Sequence, residues 1–228
     1  MLAVLPNVLK QPLYRLLFGY RIGRNVHLGI TLLDAGECTI EGDVVIGHLN
    51  AVIGVKRLTI GDHVNIGHLN IIRGGDEVRL GRYAQVLRLN EINSIPDPET
   101  LGSSDPRFLL GKGAYISTGH KIDFTDRVDI GDRSMVTGRN SSIWTHNRQQ
   151  TAPVSIGMGS WLGSESRMAP GSSIPDHSIA GMGAVVVGQL EGERHLFGGV
   201  PAKRGKELDG DTLALLERKT RNDLPDDL

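Results

Sequence analysis

Aliphatic residues in this chain return every six positions, and a longer beat of about twenty overlies the short one. Ile60, Ile66, Ile72 and Val78 keep the short beat, as do Ile116, Ile122 and Val128. The long beat shows in aliphatic-Gly pairs. Ile40-Glu41-Gly42-Asp43-Val44-Val45-Ile46-Gly47-His48-Leu49-Asn50 is followed, 20 residues on, by Ile60-Gly61-Asp62-His63-Val64-Asn65-Ile66-Gly67-His68-Leu69-Asn70. Leu80-Gly81 opens the next copy, with Leu89-Asn90 in the matching place. Ile22-Gly23 precedes the series, and Leu110-Gly111, Ile130-Gly131, Ile156-Gly157 and Ile174 extend it. The wider intervals, 80 to 110 and 130 to 156, predict coils that carry extruded loops.

A period of six fits neither an amphipathic helix, which repeats every 3.6 residues, nor a half-buried strand, which repeats every two. It fits a prism-shaped coil. One aliphatic side chain per short strand points inward, and the chain then turns a corner where a small residue avoids a clash. A single coil cannot bury its own faces, so coils stack as parallel strands. Composition agrees: there are 30 glycines but only 4 Phe, 4 Tyr and 2 Trp, as expected of a core built from many thin, similar layers.

The ends break the pattern. In residues 3–18, Leu9, Leu13, Leu16 and Leu17 stand at helical spacing, which predicts a capping helix limited by Pro6 and Pro12. A membrane-surface helix is the sharper alternative. Residues 209–222 predict a C-terminal helix capped by Asp211, with Leu213, Leu215 and Leu216 as its apolar stripe. Three segments follow: an N-terminal cap (1–21), the solenoid (22–205) and a C-terminal helix and tail (206–228). Residues 93–109, with three prolines, and residues 146–153 predict surface loops that shape a site.

The [Ile/Leu/Val]-Gly-x-x-x-x repeats resemble those of hexapeptide acyltransferases. The resemblance implies an all-β solenoid, a left-handed parallel β-helix, over residues 22–205, and the handedness comes from the family alone. The segment Thr145-His146 followed by a polar loop, then Pro153-Val154-Ser155-Ile156-Gly157 and Trp161, is similar to the catalytic segment of galactoside and polysaccharide-biosynthesis O-acetyltransferases. That likeness places a general base at His146. An imidazole with a pKa near 6.5 suits the work, because a hydroxyl attacking a thioester must lose its proton.

His120 is a second catalytic candidate, sharing proton transfer or binding the acceptor. Asp123 and Asp126 are candidates to orient a histidine, and Asp123, Trp161 and Trp144 to line the acceptor site. The corners at Gly163 and Gly181 leave backbone amides for the acyl donor and its oxyanion. Gly198-Gly199-Val200-Pro201-Ala202-Lys203-Arg204 resembles the family's closing motif, in which Lys203 or Arg204 would meet the phosphates of CoA.

The resemblance thus implies acetyl-CoA as acyl donor, a sugar-like acceptor, no metal, and a homotrimer with sites between subunits. A formal net charge of -1 argues against a nucleic-acid partner. The single cysteine, Cys38, and the lack of a signal peptide point to the cytoplasm, with membrane contact possible but not expected. Two rival readings remain. His48, His63 and His68 suggest a zinc enzyme of the γ-carbonic anhydrase type, although the full ligand pattern of that family is not matched. A non-catalytic scaffold solenoid is the other.

Overall fold

The computed structural model describes residues 2–95, 104–217 and 225. It is a parallel β-solenoid with a helix at each end. The first two coils carry one long strand each, Thr31–Ile40 and Asn50–Ile60, and from Asn65 onward a coil typically runs through three short strands. One example is Gln85–Arg88, Glu91–Asn93 and Arg107–Leu110, and the next is Tyr115–Thr118, Lys121–Asp123 and Val128–Ile130. Equivalent strands pair in parallel up the stack, so the inward residues form columns. Ile66, Val86, Ile116, Val136, Leu162 and Ala180 make one column. Ile72, Ile92, Ile122, Ile143, Met168 and Val186 make a second. Leu80, Leu110, Ile130, Ile156 and Ile174 belong to the third. Every one of these residues is at most 2% exposed. The six-residue beat is therefore the usual step along the chain from the first column to the second and from the third to the first of the next coil, as from Ile116 to Ile122 and from Ile130 to Val136.

The glycine after each aliphatic has a more specific job than turning the corner. A Cβ on Gly111 would lie 2.5 Å from Asp132 N, and one on Gly131 would lie 2.7 Å from Met158 N. These glycines permit close approach of successive coils. The left-handed corner conformation falls elsewhere, on residues that include His63 (φ 58°), Tyr83 (φ 60°) and Arg133 (φ 58°).

A second corner carries an internal polar ladder. Asn50, Asn70 and Asn90 each donate an N–H to a carbonyl of the turn above, and Asn70 and Asn90 also bond the Asn Oδ1 one coil below. These bonds satisfy buried amides that the aliphatic columns cannot.

The two wide intervals are loops, as their spacing predicts. One leaves the coil after Asn93 and rejoins it at Arg107, and residues 96–103 of it lie outside the described residues. The other spans 144–153, between Ser142–Ile143 and Val154–Ile156, and is closed by a bridge between His146 and Thr151.

Helix α1 (Asn7–Phe18) lies across the first coil, with Pro6 at its N-cap and Pro12 inside it. Helix α2 (Gly210–Leu216) is the last described element. Its cap is Asp209 and not Asp211. Asp209 is extended and accepts the Thr212 N–H at 2.8 Å, whereas Asp211 already lies in the first turn. Of the expected 209–222 helix, residues 218–222 lie outside the described residues.

Candidate active site

The strand Lys121–Asp123 and the loop after Ser142–Ile143 stand side by side, because Ile122 pairs with Ile143. That register brings Asp123 to His146. The His146 Nδ1 to Asp123 Oδ2 distance is 2.8 Å. The same oxygen accepts the Thr145 N–H at 2.9 Å and the Thr145 hydroxyl at 2.6 Å, and Oδ1 accepts the Thr125 hydroxyl at 2.7 Å. Asp123 is buried, and every one of these contacts delivers a proton to it. Such a carboxylate acts as an acceptor only, so a neutral His146 carries its hydrogen on Nδ1 and is left with the Nε2 lone pair.

Thr145 ties this cluster to the backbone. It is fully buried, and its Oγ1 also accepts the Asp126 N–H at 2.9 Å. Asp126 does not reach a histidine. Its Oδ1 accepts the Arg127 and Asp105 N–H groups, which shapes the return of the first loop. The loop after His146 is braced by Asn147, whose Oδ1 accepts the Gln149 and Gln150 N–H groups.

His146 and Asp123 border a cleft of about 270 Å³ shared with Arg73, Glu91, Asn93, Lys121 and Trp144. Trp144 stands edge-on to the imidazole, with ring centroids 6.4 Å apart, and the Lys121 ammonium sits 5.6 Å from the Trp144 ring centre. Lys121 also faces Glu91 at 3.5 Å. Asn93 stands in register with Asp123 one coil below. Its Nδ2 donates to Glu91, while its Oδ1 is buried with no hydrogen-bond partner. An orphaned buried acceptor carries a free-energy cost that a ligand donor would relieve. Glu91, Asn93, Arg73 and Thr125 carried no sequence signal. They are ordinary polar residues of the repeat, and only the stacking register gathers them.

The other sequence candidates lie elsewhere. His120 does not line the cleft. It is 1% exposed and continues the interior ladder above Asn90, whose Oδ1 accepts its N–H at 2.9 Å. His120 Nδ1 accepts the Ser141 N–H at 3.2 Å, and its buried Nε2 has no partner. Burial pushes this imidazole down to about 4.

Trp161 is on a different face, pairing with Met135 and Ile179, and its Nε1 is buried without a partner. Gly163 and Gly181 do not offer free amides. Their N–H groups donate to the Ala180 and Phe197 carbonyls, both at 2.8 Å, because the coil ladder uses them. Lys203 and Arg204 are exposed on the strand Lys203–Glu207, and among the described residues neither forms an ion pair.

The early histidines are occupied by the fold. His48 Nδ1 accepts the Ile30 N–H, and His68 Nδ1 accepts the His48 N–H. Their rings stack at 5.7 Å, and His63 stacks on Tyr83. Among the described residues, no three His, Cys, Asp or Glu side chains form a metal-holding group.

Neither a family model nor a curated protein matches the sequence. Solved structures do match. A point variant of AntD, an N-acyltransferase from Bacillus cereus in complex with dTDP-4-amino-4,6-dideoxyglucose and coenzyme A, is 13% identical, with a TM-score of 0.56 over 69% of this chain and 87% of that one. The UDP-N-acetylglucosamine acyltransferase from Campylobacter jejuni is 16% identical, with a TM-score of 0.56 over 87% of this chain and 77% of that one. At these identities the likeness is one of fold. Both proteins are acyltransferases, the class that the hexapeptide repeats resemble.

Proposed function

We propose that this chain is an acyl-CoA-dependent O-acyltransferase that transfers an acyl group, acetyl in the first instance, to a hydroxyl of a sugar-like acceptor. The observation that carries the reading is the hydrogen bond from His146 to a buried Asp123 at the edge of a polar cleft. It holds the imidazole in the tautomer a general base needs.

In this mechanism the acceptor hydroxyl sits beside His146 Nε2. As its oxygen attacks the thioester carbonyl, Nε2 takes the hydroxyl proton. The tetrahedral intermediate then expels the CoA thiolate, which receives that proton from the imidazolium. The products are the acyl ester and free CoA, and no acyl-enzyme forms. Asp123 is a positioning residue. It fixes the ring and stabilises the positive charge that His146 carries during transfer. Asn93 Oδ1 accepts a hydrogen bond from the acceptor, and Trp144 supplies an apolar wall against a sugar ring. The CoA phosphates meet Lys203 or Arg204, free cations of the closing coil. The sugar nucleotide bound in the similar AntD structure supports a sugar acceptor. We propose further that the chain forms the homotrimer implied by the repeat family, with CoA lying between neighbouring solenoids.

Calorimetric binding of acetyl-CoA, with a Lys203→Ala/Arg204→Ala variant alongside, tests donor and site together. Micromolar binding that weakens about tenfold or more in the variant supports the reading. Absence of binding by the parent chain refutes it and favours the scaffold. A panel of hydroxyl and amino sugars, followed by free-thiol release, then separates O- from N-transfer.

A further inference from the structure

Helix α1 is turned the opposite way from an ordinary capping helix. A surface helix normally lays its apolar stripe on the core and shows its polar face to water. Here the polar side faces the solenoid. The first coil has no coil beneath it, so its edge carbonyls need donors. Asn7 and Gln11 donate to the Val26 carbonyl at 2.9 and 2.6 Å. Lys10, 1% exposed, donates to the Gly29 and Leu28 carbonyls, and Arg15 donates to the Ile22 carbonyl at 2.7 Å. These contacts hold the orientation firmly, since reversing the helix would strand the edge.

The consequence is an apolar face left in solvent. Val8 is 78% exposed, Leu9 54%, Leu16 80% and Leu17 61%. At about 100° per residue these four, with Pro12 and Leu13, fill roughly a half-turn of α1 that holds no polar residue. Phe18 adds a half-exposed ring at the helix end.

The segment that carries this face, residues 2–33, is charged with one sign. Residues 2–33 contain Lys10, Arg15, Arg21 and Arg24 and no Asp or Glu. Arg15, Arg21 and Arg24 are exposed. In the rest of the first coil, Asp34 is exposed near Tyr20, and Glu37 is turned to Arg57 of the next coil. Two copies docked by α1 would bring these cations together with no carboxylate from residues 2–33 between them. An apolar helical face ringed by cations matches an anionic bilayer, whose acyl boundary takes the apolar side chains while its headgroups attract the arginines. Twelve residues of helix reach about 18 Å, too little to cross a bilayer. No described helix is long and apolar enough to cross one.

We infer that α1 docks this protein on anionic lipid bilayers, lying in the interface with Val8, Leu9, Leu16 and Leu17 in the membrane and Arg15, Arg21 and Arg24 at its surface. Each such cation adds roughly fivefold to partitioning, and salt weakens that share.

Co-sedimentation of the full chain with extruded phosphatidylcholine vesicles, with and without about one-third phosphatidylglycerol, tests this. The expected result is binding to the anionic vesicles at least about tenfold stronger than to the neutral ones. A Leu16→Glu/Leu17→Glu variant should lose it, and an Arg21→Glu/Arg24→Glu variant should lose most of it. All of these side chains are exposed, and circular dichroism checks that both variants fold. Equal binding to both vesicle types, or none to the anionic ones, overturns the inference. If light scattering instead shows a parent oligomer that Leu16→Glu/Leu17→Glu dissolves, with no vesicle binding, the face belongs to a second copy and the membrane reading is wrong.

Discussion

Replacing His120 by Asn should make the protein more acid-resistant and leave its chemistry intact. His120 occupies the place in the interior ladder that Asn50, Asn70 and Asn90 occupy below it. An Asn there can accept the Ser141 N–H and donate to Asn90 Oδ1, as Asn90 does to Asn70. It also removes the buried Nε2 that has no partner. In the parent, burial holds the imidazole at about 4, against about 6.5 in the unfolded chain. Protonation at Nδ1 would also set one N–H against the Ser141 N–H.

The sign follows from proton counting. Between these two values the unfolded chain binds more protons than the folded one, so stability rises with pH across the window. The stabilisation is complete above about pH 6.5 and is lost as pH falls toward 4. The full span is about 3 kcal/mol, of which about 2 kcal/mol is gone by pH 5. For a chain of this size, 2 kcal/mol corresponds to roughly 4–8 °C in Tm.

Urea unfolding of parent and His120→Asn at pH 8 and pH 5 measures the difference directly. The two should agree within about 1 kcal/mol at pH 8. At pH 5 the variant should gain about 2 kcal/mol relative to that baseline. A gap that does not change between the two pH values would refute the argument, whatever the other titrating groups do, because they are common to both proteins. Activity gives a second readout. CoA release by a folded His120→Asn at pH 8 should lie within about threefold of the parent. Loss of turnover would restore His120 to the proton-transfer role its sequence context suggests.

Other substitutions probe the site and the repeat. His146→Ala should lower CoA release by about 10²–10⁴-fold with little effect on acetyl-CoA affinity, and near-parental turnover would remove its assignment as base. Asp123→Asn should fold, because its carbonyl can still accept from Thr145 and its amide can face the Thr125 hydroxyl. Exchanging a charge-assisted hydrogen bond for a neutral one should lower kcat/KM by about 10–100-fold, and nitrogen NMR should show His146 still protonated at Nδ1. A ring that switches to Nε2 in both parent and variant would dismiss Asp123 as its positioning residue. Gly111→Ala forces backbone atoms apart from 2.5 Å and should cost about 1–3 kcal/mol in chemical denaturation, whereas Gly210→Ala meets nothing within 4 Å and should stay within about 1 kcal/mol.

Much of the fold was legible before any coordinates. Parallel stacking makes equivalent residues of successive coils touch, so spatial layers appear as a sequence period. The wide intervals likewise marked real excursions, because a strand column cannot absorb extra residues. The motif around His146 singled it out, and the structure places it beside Asp123 at the edge of a polar cleft.

What sequence alone determined was thus the set of columns and the loops, since these depend on local spacing and on which residues tolerate burial. Tertiary structure decided the partnerships across coils. Asp123 and Asp126 are near-equivalent candidates in the sequence, yet the 122-to-143 register sends one to His146 and the other to a loop backbone. His120 reads as a catalytic neighbour, and the same stacking turns it inward to extend an amide ladder. The glycine amides at 163 and 181 read as open and are consumed by the next coil. The leucines of α1 read as those of a capping helix, but the open carbonyl edge claims the polar side of that helix and turns Leu9, Leu16 and Leu17 to solvent. In each case the deciding force acts mostly between residues 15 to 30 positions apart, through hydrogen bonds whose direction no local pattern records.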